Sequence, residues 1–237
     1  MSTGVVLLHG KWDQPPFAIA ALTDALTDAG YRWRLPTLPW ALRRLYDTPL
    51  ARALDQITDE AAALRAAGCT RVLLCGHSLG AGAALAVAAR RSGIDGLILL
   101  APGHFPERLA AEGHTAASLA NAARAVAGGQ GQARIALVDV HQGQPRRLRI
   151  RPDHYLSYFA PDGAAVWPDN CRRLAVPLPM LWLVEDAPGA VVPGIDYAFR
   201  QAPPHPASQW RRVAATHHDT PARSTDIVLD WLHSLDW

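Results

Sequence analysis

One five-residue turn limits the folds open to this chain more than any other feature. Gly76-His77-Ser78-Leu79-Gly80 stands between an apolar run, R-V-L-L-C at 71–75, and an Ala-rich helical stretch over 81–91. A chain that passes so abruptly from a buried strand into a helix lifts the middle side chain above the edge of its sheet. Glycine is needed on both sides, because a Cβ there collides with the adjoining strand and helix. A serine hydroxyl is a poor nucleophile until it is exposed, positioned and relieved of its proton by a neighbour. The turn supplies the first two conditions.

The remaining pattern agrees with a strand entering a helix. Short apolar runs at 5–8, 31–35, 71–75, 96–101, 180–184 and 209–215 read as six strands. Between them the spacing predicts helices over 17–29, 50–67, 81–91 and 225–235, several stopped by glycine. Such alternation predicts an α/β fold, a mostly parallel six-stranded sheet with helices on both faces. The stretch from about 102 to 176 breaks the rhythm. It holds a helical piece near 116–127, a Gly-rich gap at 128–131, a basic run at 146–151 and aromatic residues at 155–159. We expect one domain over 1–237, with 102–176 as a small cap insertion that shapes the pocket.

Composition narrows the function. With 237 residues, 49% apolar and 19% charged, the chain suits one core of ordinary size and excludes a disordered tail. Its formal charge of +2 asks for no nucleic-acid partner. Three cysteines without a metal-type pair point to a reducing compartment, and hence to a cytoplasmic protein. No secretory signal is expected at the N-terminus, and no apolar run is long enough for a membrane span. A nucleotide cofactor has no support, since neither G-x-G-x-x-G nor a Walker-type loop occurs.

A serine nucleophile needs a base and a group to orient that base. A-T-H-H-D-T-P at 215–221 follows the final strand and Glu185-Asp186 ends the fifth, so both fall at the same sheet edge as Ser78. The order Ser78, Asp186, His217 is the nucleophile, acid, base order of one known architecture. Glu185 stays open as the alternative acid, and His218 competes with His217. Adjacent side chains such as His217-His218-Asp219 rarely converge on one ion, so no metal is expected.

These residues carry a resemblance. Through L-L-H-G at 7–10, G-H-S-L-G at 76–80, L-A-P-G-H at 100–104, V-E-D at 184–186 and H-H-D-T-P at 217–221, the chain resembles the α/β-hydrolase superfamily. It does so over nearly its whole length, and it is similar to the small bacterial esterase-type members. The resemblance implies a reduced sheet lacking the family's first two strands. It implies an oxyanion hole made by the backbone N–H groups of Leu79 and of Lys11 or Trp12. The family spacing of histidine and proline favours His217. Its usual glycine before the acid is missing here, and Asp186 leads Glu185 because a short carboxylate is the commoner orienter.

The resemblance implies a serine hydrolase that cleaves a carboxylic ester or related acyl substrate through an acyl-enzyme on Ser78. A small-molecule acyl compound would be its partner, with no cofactor. The same fold hosts lyases, acyltransferases, thioesterases and non-catalytic binding proteins, which stand as alternatives. His104 falls where the family lines the mouth of its site. Trp12, Trp40, Tyr155, Tyr158 and Phe159 are candidates for an apolar acyl pocket, the core being the ordinary place for aromatics. Arg146, Arg147, Arg149 and Arg151 would suit an anionic substrate tail, with a solvated face as the default.

Overall fold

The computed structural model describes residues 2–141, 143–186 and 195–235. In chain order come β1 (Thr3–Leu8), α1 (Ala20–Asp28), β2 (Arg32–Arg34), α2 (Leu50–Ala66), β3 (Arg71–His77), α3 (Leu79–Ala88) and β4 (Gly96–Leu100). Then follow α4 (Pro106–Ala111), α5 (Ala116–Ala127), β5 (Ile135–His141), β6 (Gln144–Ile150), α6 (Pro152–Phe159) and α7 (Trp167–Arg172). The chain closes with β7 (Met180–Glu185), α8 (Ile195–Arg200), β8 (Gln209–Val213), α9 (Thr220–Arg223) and α10 (Thr225–His233).

Six strands form one sheet in the order β2-β1-β3-β4-β7-β8, and each neighbouring pair is parallel. The period of two along each strand sorts its side chains between two cores. Val6, Leu8, Val72, Leu74, Leu97 and Leu99 pack with α2 and α3 on one face. Val5, Leu7, Leu73, Cys75, Ile98 and Leu100 pack with α1 and α10 on the other. Strands buried on both faces must read as unbroken apolar runs, which is why V-V-L-L and R-V-L-L-C are legible in sequence. No helix among the described residues is long and apolar enough to cross a membrane.

The irregular stretch between β4 and β7 carries α4 to α7 and a separate antiparallel pair, β5 with β6. The helical piece expected near 116–127 is α5. The hairpin was not anticipated. Its second strand, Q-P-R-R-L-R-I, is exposed at Arg146, Arg147 and Arg149 and alternates only over its last four residues, R-L-R-I, too short a run to stand out in the sequence. These arginines lie on a solvated strand.

Candidate active site

The order of the strands creates the site. From β1 the chain moves outward to β2 and then returns to β3 on the other side of β1. Connections leaving the carboxyl ends of β1 and β3 therefore diverge, and a crevice opens between them. Gly10, Lys11 and Trp12 follow β1, and Ser78 follows β3. Because all six strands run in one direction, the residues after β4, Glu185 at the end of β7 and His217 after β8 reach the same edge.

Ser78 occupies the turn with φ 55° and ψ −118°, a backbone state that costs a non-glycine residue about 1–3 kcal/mol. Its neighbours leave no freedom. A Cβ on Gly76 would lie 2.3 Å from the Gly80 carbonyl oxygen, and one on Gly80 would lie 2.3 Å from the Leu8 carbonyl oxygen. Both contacts are with backbone, so neither glycine can be replaced without moving α3 or β1. Gly103 does a different service. A Cβ there would sit 2.8 Å from Ser78 Oγ and 3.4 Å from His217 Cε1, so its absence keeps open the space above the hydroxyl.

Ser78 Oγ lies 2.9 Å from His217 Nε2, and His217 Nδ1 lies 2.9 Å from Glu185 Oε1. A carboxylate only accepts, so Nδ1 carries the ring proton and Nε2 offers its lone pair to the Ser78 O–H. Burial works to raise the Glu185 pKa, but the hydrogen bond and charge of His217 outweigh it and hold the carboxyl below its ordinary value. Glu185 is thus an anion at neutral pH.

Asp186, the leading acid in the sequence, does not reach His217. It is exposed, and its Oδ1 accepts from the Arg212 guanidinium at 2.7 Å. The reason is the alternation of β7. Leu181 and Leu183 face the α1/α10 core, and Glu185 continues their parity at the strand end. Loop 214–219 leads into α9, which packs against α1 on that same face. Asp186 has the opposite parity. This alternation was the available signal, and it outweighs the preference for a short carboxylate.

Behind the histidine sits a second ring. His77 Nε2 donates to the His217 carbonyl oxygen at 2.9 Å, while its Nδ1 lies 3.6 Å from Asp13 Oδ2. The Gly10 N–H donates to the same oxygen of Asp13. Burial alone would raise the Asp13 pKa, yet His77, His9 and the Gly10 amide together lower it. The variable position of G-x-S-x-G thereby ties the His217 loop to the loop after β1. Sequence reasoning assigned His77 and Asp13 no role, and their wide separation along the chain offered no signal.

Of the backbone N–H groups expected to form an oxyanion hole, two have no acceptor among the described residues. Leu79 opens α3, where the first N–H groups have no intrahelical acceptor. The Lys11 N–H has no protein acceptor among the described residues. Trp12 differs from expectation: its N–H donates to the Trp40 carbonyl at 2.8 Å, which removes it as a free donor.

Above Ser78 lies a cavity of about 670 Å³, bordered by His104, Phe105, Arg108, Val140, His141 and His218 among others. Its wall mixes polar and apolar groups. The expected aromatic pocket is absent from it. Trp40, Tyr155, Tyr158 and Phe159 are at most 1% exposed and pack together in the core, with Tyr155 and Phe159 stacked at 4.2 Å. Their sequence neighbours had allowed either place, and burial of large rings won. His104 does border the cavity. Its Nε2 donates to the Tyr158 carbonyl, and burial, aided by nearby Lys11, lowers its pKa to about 4, so the ring is neutral. Among the described residues no group of three or more His, Cys, Asp or Glu side chains is placed to hold a metal ion.

Known proteins share this architecture. A model of the alpha/beta hydrolase family matches residues 5–232. No curated protein matches the sequence. Several solved structures share the fold at low identity. Est1E from Butyrivibrio proteoclasticus is 17% identical, with 98% of this chain and 89% of that one covered and a TM-score of 0.64. A soluble variant of monoglyceride lipase from Saccharomyces cerevisiae is 15% identical over 98% and 87%, with a TM-score of 0.64. NosK from Streptomyces actuosus is 20% identical over 99% of both chains, with a TM-score of 0.60.

Proposed function

The chain belongs to the alpha/beta hydrolase family, and from that premise we propose that it is a serine hydrolase of carboxylic esters or related acyl compounds. One observation carries the reading: an unbroken hydrogen-bonded path from Glu185 through His217 to Ser78, each step 2.9 Å, beneath an open cavity. Membership alone would not decide among the chemistries this fold hosts.

The mechanism rests on the atoms present. Ser78 Oγ attacks the acyl carbon as His217 Nε2 takes its proton. Glu185 fixes the ring tautomer and stabilises the imidazolium without taking the proton itself. The carbonyl oxygen becomes an oxyanion and is met by the N–H groups of Leu79 and Lys11. Collapse of the tetrahedral species expels the alcohol, which leaves with the proton from His217. Water enters the cavity, gives a proton to His217 and attacks the acyl carbon, and Ser78 recovers its proton as the acid departs. The bare space beside Gly103 accommodates the extra bond at carbon in both steps.

An active-site-directed phosphonate should label the wild type and leave Ser78→Ala unlabelled. Graded esters and thioesters, run with and without a competing alcohol acceptor, should give hydrolysis of the ester as the fastest reaction. Labelling that persists in Ser78→Ala would reject the nucleophile. A wild type that neither labels nor turns over any acyl compound would reject the reading as a whole.

A further inference from the structure

We propose that Asp139 is a positioning residue for the oxyanion hole. By gripping the Lys11 side chain, it holds the Lys11 backbone N–H toward the reacting carbonyl. This rests on the hydrolase reading above and assigns part of its geometry to the hairpin β5–β6, outside the sheet.

Lys11 is the only lysine in the chain, and it is 9% exposed. Its Nζ lies 2.7 Å from Asp139 Oδ1 and also donates to the Val140 carbonyl. Asp139 is fully buried in β5. Its second oxygen accepts the Tyr46 O–H at 2.7 Å, and Oδ1 takes the Val140 N–H as well. Both oxygens of the carboxylate are therefore satisfied. Ion pairs sealed in this way add little net stability compared with apolar side chains of the same volume, because both ions lose their water. What such a pair does supply is a fixed distance between two pieces of backbone. Here those pieces are the loop after β1 and a strand 128 positions away.

The next residue repeats the connection. The Trp12 ring stacks on His141 of β5 with centroids 4.7 Å apart and planes 24° apart. Trp12 also has φ 61°, a left-handed state that a bulky side chain keeps only where its surroundings hold it. Two successive side chains thus anchor the peptide that carries the Lys11 N–H, and both anchors lie on one strand of the hairpin. The carbonyl of that peptide, Gly10, accepts from His9 Nδ1 at 2.8 Å and from the Asp13 N–H at 3.3 Å, so the two side-chain anchors act together with a backbone already held at one end.

Asp139→Asn and the double variant Lys11→Met/Asp139→Leu test this. The double variant removes both charges together, so no buried ion is stranded, and leucine keeps the branched outline of the aspartate side chain. Loss of one oxyanion donor lowers kcat by about 100- to 1000-fold, and a donor merely set loose should lower it by about 10- to 100-fold. KM should stay within about threefold, and affinity for a trifluoromethyl ketone, whose serine adduct carries the oxyanion, should fall by the factor lost in kcat. A folded variant that keeps kcat and ketone affinity within about twofold, or that loses rate only through KM, overturns the assignment. Failure of both variants to fold overturns it too, by making the pair a folding element. Loss in the variants cannot be confused with failure of the hydrolase reading, which would leave the wild type itself inert to the ketone and to phosphonate.

Discussion

Replacing Glu185 with glutamine keeps the outline of the side chain and removes its charge. In the native site His217 Nδ1 donates to Oε1 at 2.9 Å, which leaves Nε2 unprotonated toward Ser78. A glutamine amide can turn its carbonyl away and its NH₂ toward Nδ1, and the ring then carries its proton on Nε2, facing the hydroxyl it should deprotonate. A carboxylate-to-amide change of this kind costs a Ser-His-Asp enzyme about 10⁴ in kcat. For Glu185→Gln we expect a fall of about 10³ to 10⁴, which at about 1.36 kcal/mol per decade is roughly 4–5.5 kcal/mol of lost transition-state stabilisation. Asp186→Asn is the matched control. Its partner is Arg212, and the two side chains are 51% and 63% exposed, so the pair contributes at most about 1 kcal/mol to stability. Its kcat should stay within about twofold. Steady-state kinetics on a chromogenic ester, with phosphonate labelling rates beside them, measure both variants. Glu185 is refuted as the acid if Asp186→Asn loses more than about 100-fold while Glu185→Gln stays within about tenfold.

Gly103→Ala should fold, because the atoms its Cβ would crowd are the ends of two side chains, Ser78 Oγ at 2.8 Å and His217 Cε1 at 3.4 Å. Displacing Oγ breaks its contact with His217, so the expected loss is about 10- to 100-fold in kcat and in the phosphonate labelling rate, with an unchanged melting temperature. A fully active variant would refute it. His104 gives a prediction about pH. Its folded pKa is lowered from 6.5 to about 4, so as pH falls the unfolded chain binds the proton first. Stability from this residue is therefore complete above pH 6.5 and is lost as pH falls toward 4, by about 3 kcal/mol at about 1.36 kcal/mol per pH unit. His104→Gln should flatten urea-unfolding free energies over that window relative to wild type. An unchanged slope would show that His104 titrates in the folded state as it does in the unfolded one.

The strands were legible because burial on both faces leaves a strand no room for polar residues. V-V-L-L, R-V-L-L-C and G-L-I-L-L announce β1, β3 and β4 to within two residues at either end. β2, read over 31–35, is shortened by the structure to three residues, all exposed, at the sheet edge. In Q-P-R-R-L-R-I only R-L-R-I alternates, since β6 pairs only with β5 and exposes most of its side chains. Its first half is held by hydrogen bonds to a partner, which leave no periodic trace. The aromatic run at 155–159 shows the converse. Tyr155, Tyr158 and Phe159 are legible only as a cluster of aromatics; that they lie on the buried face of α6 against the hairpin and α2 is set by tertiary packing.

The same division explains the acid. Sequence order brings a carboxylate to the end of β7, and two adjacent carboxylates satisfy that order equally. Only parity separates them, and parity has meaning once the face is known on which the loop after β8 returns. That face is fixed by α9 and α10, which pack with α1. A one-residue slip in β7 would exchange the roles of Glu185 and Asp186 while turning Leu181 and Leu183 toward the wrong core. Burial of those two leucines, at roughly 2–3 kcal/mol each, therefore does more than stabilise the sheet. It determines which of two neighbouring carboxylates can reach the imidazole, and so ties that hydrogen bond to the packing of a core beneath the site.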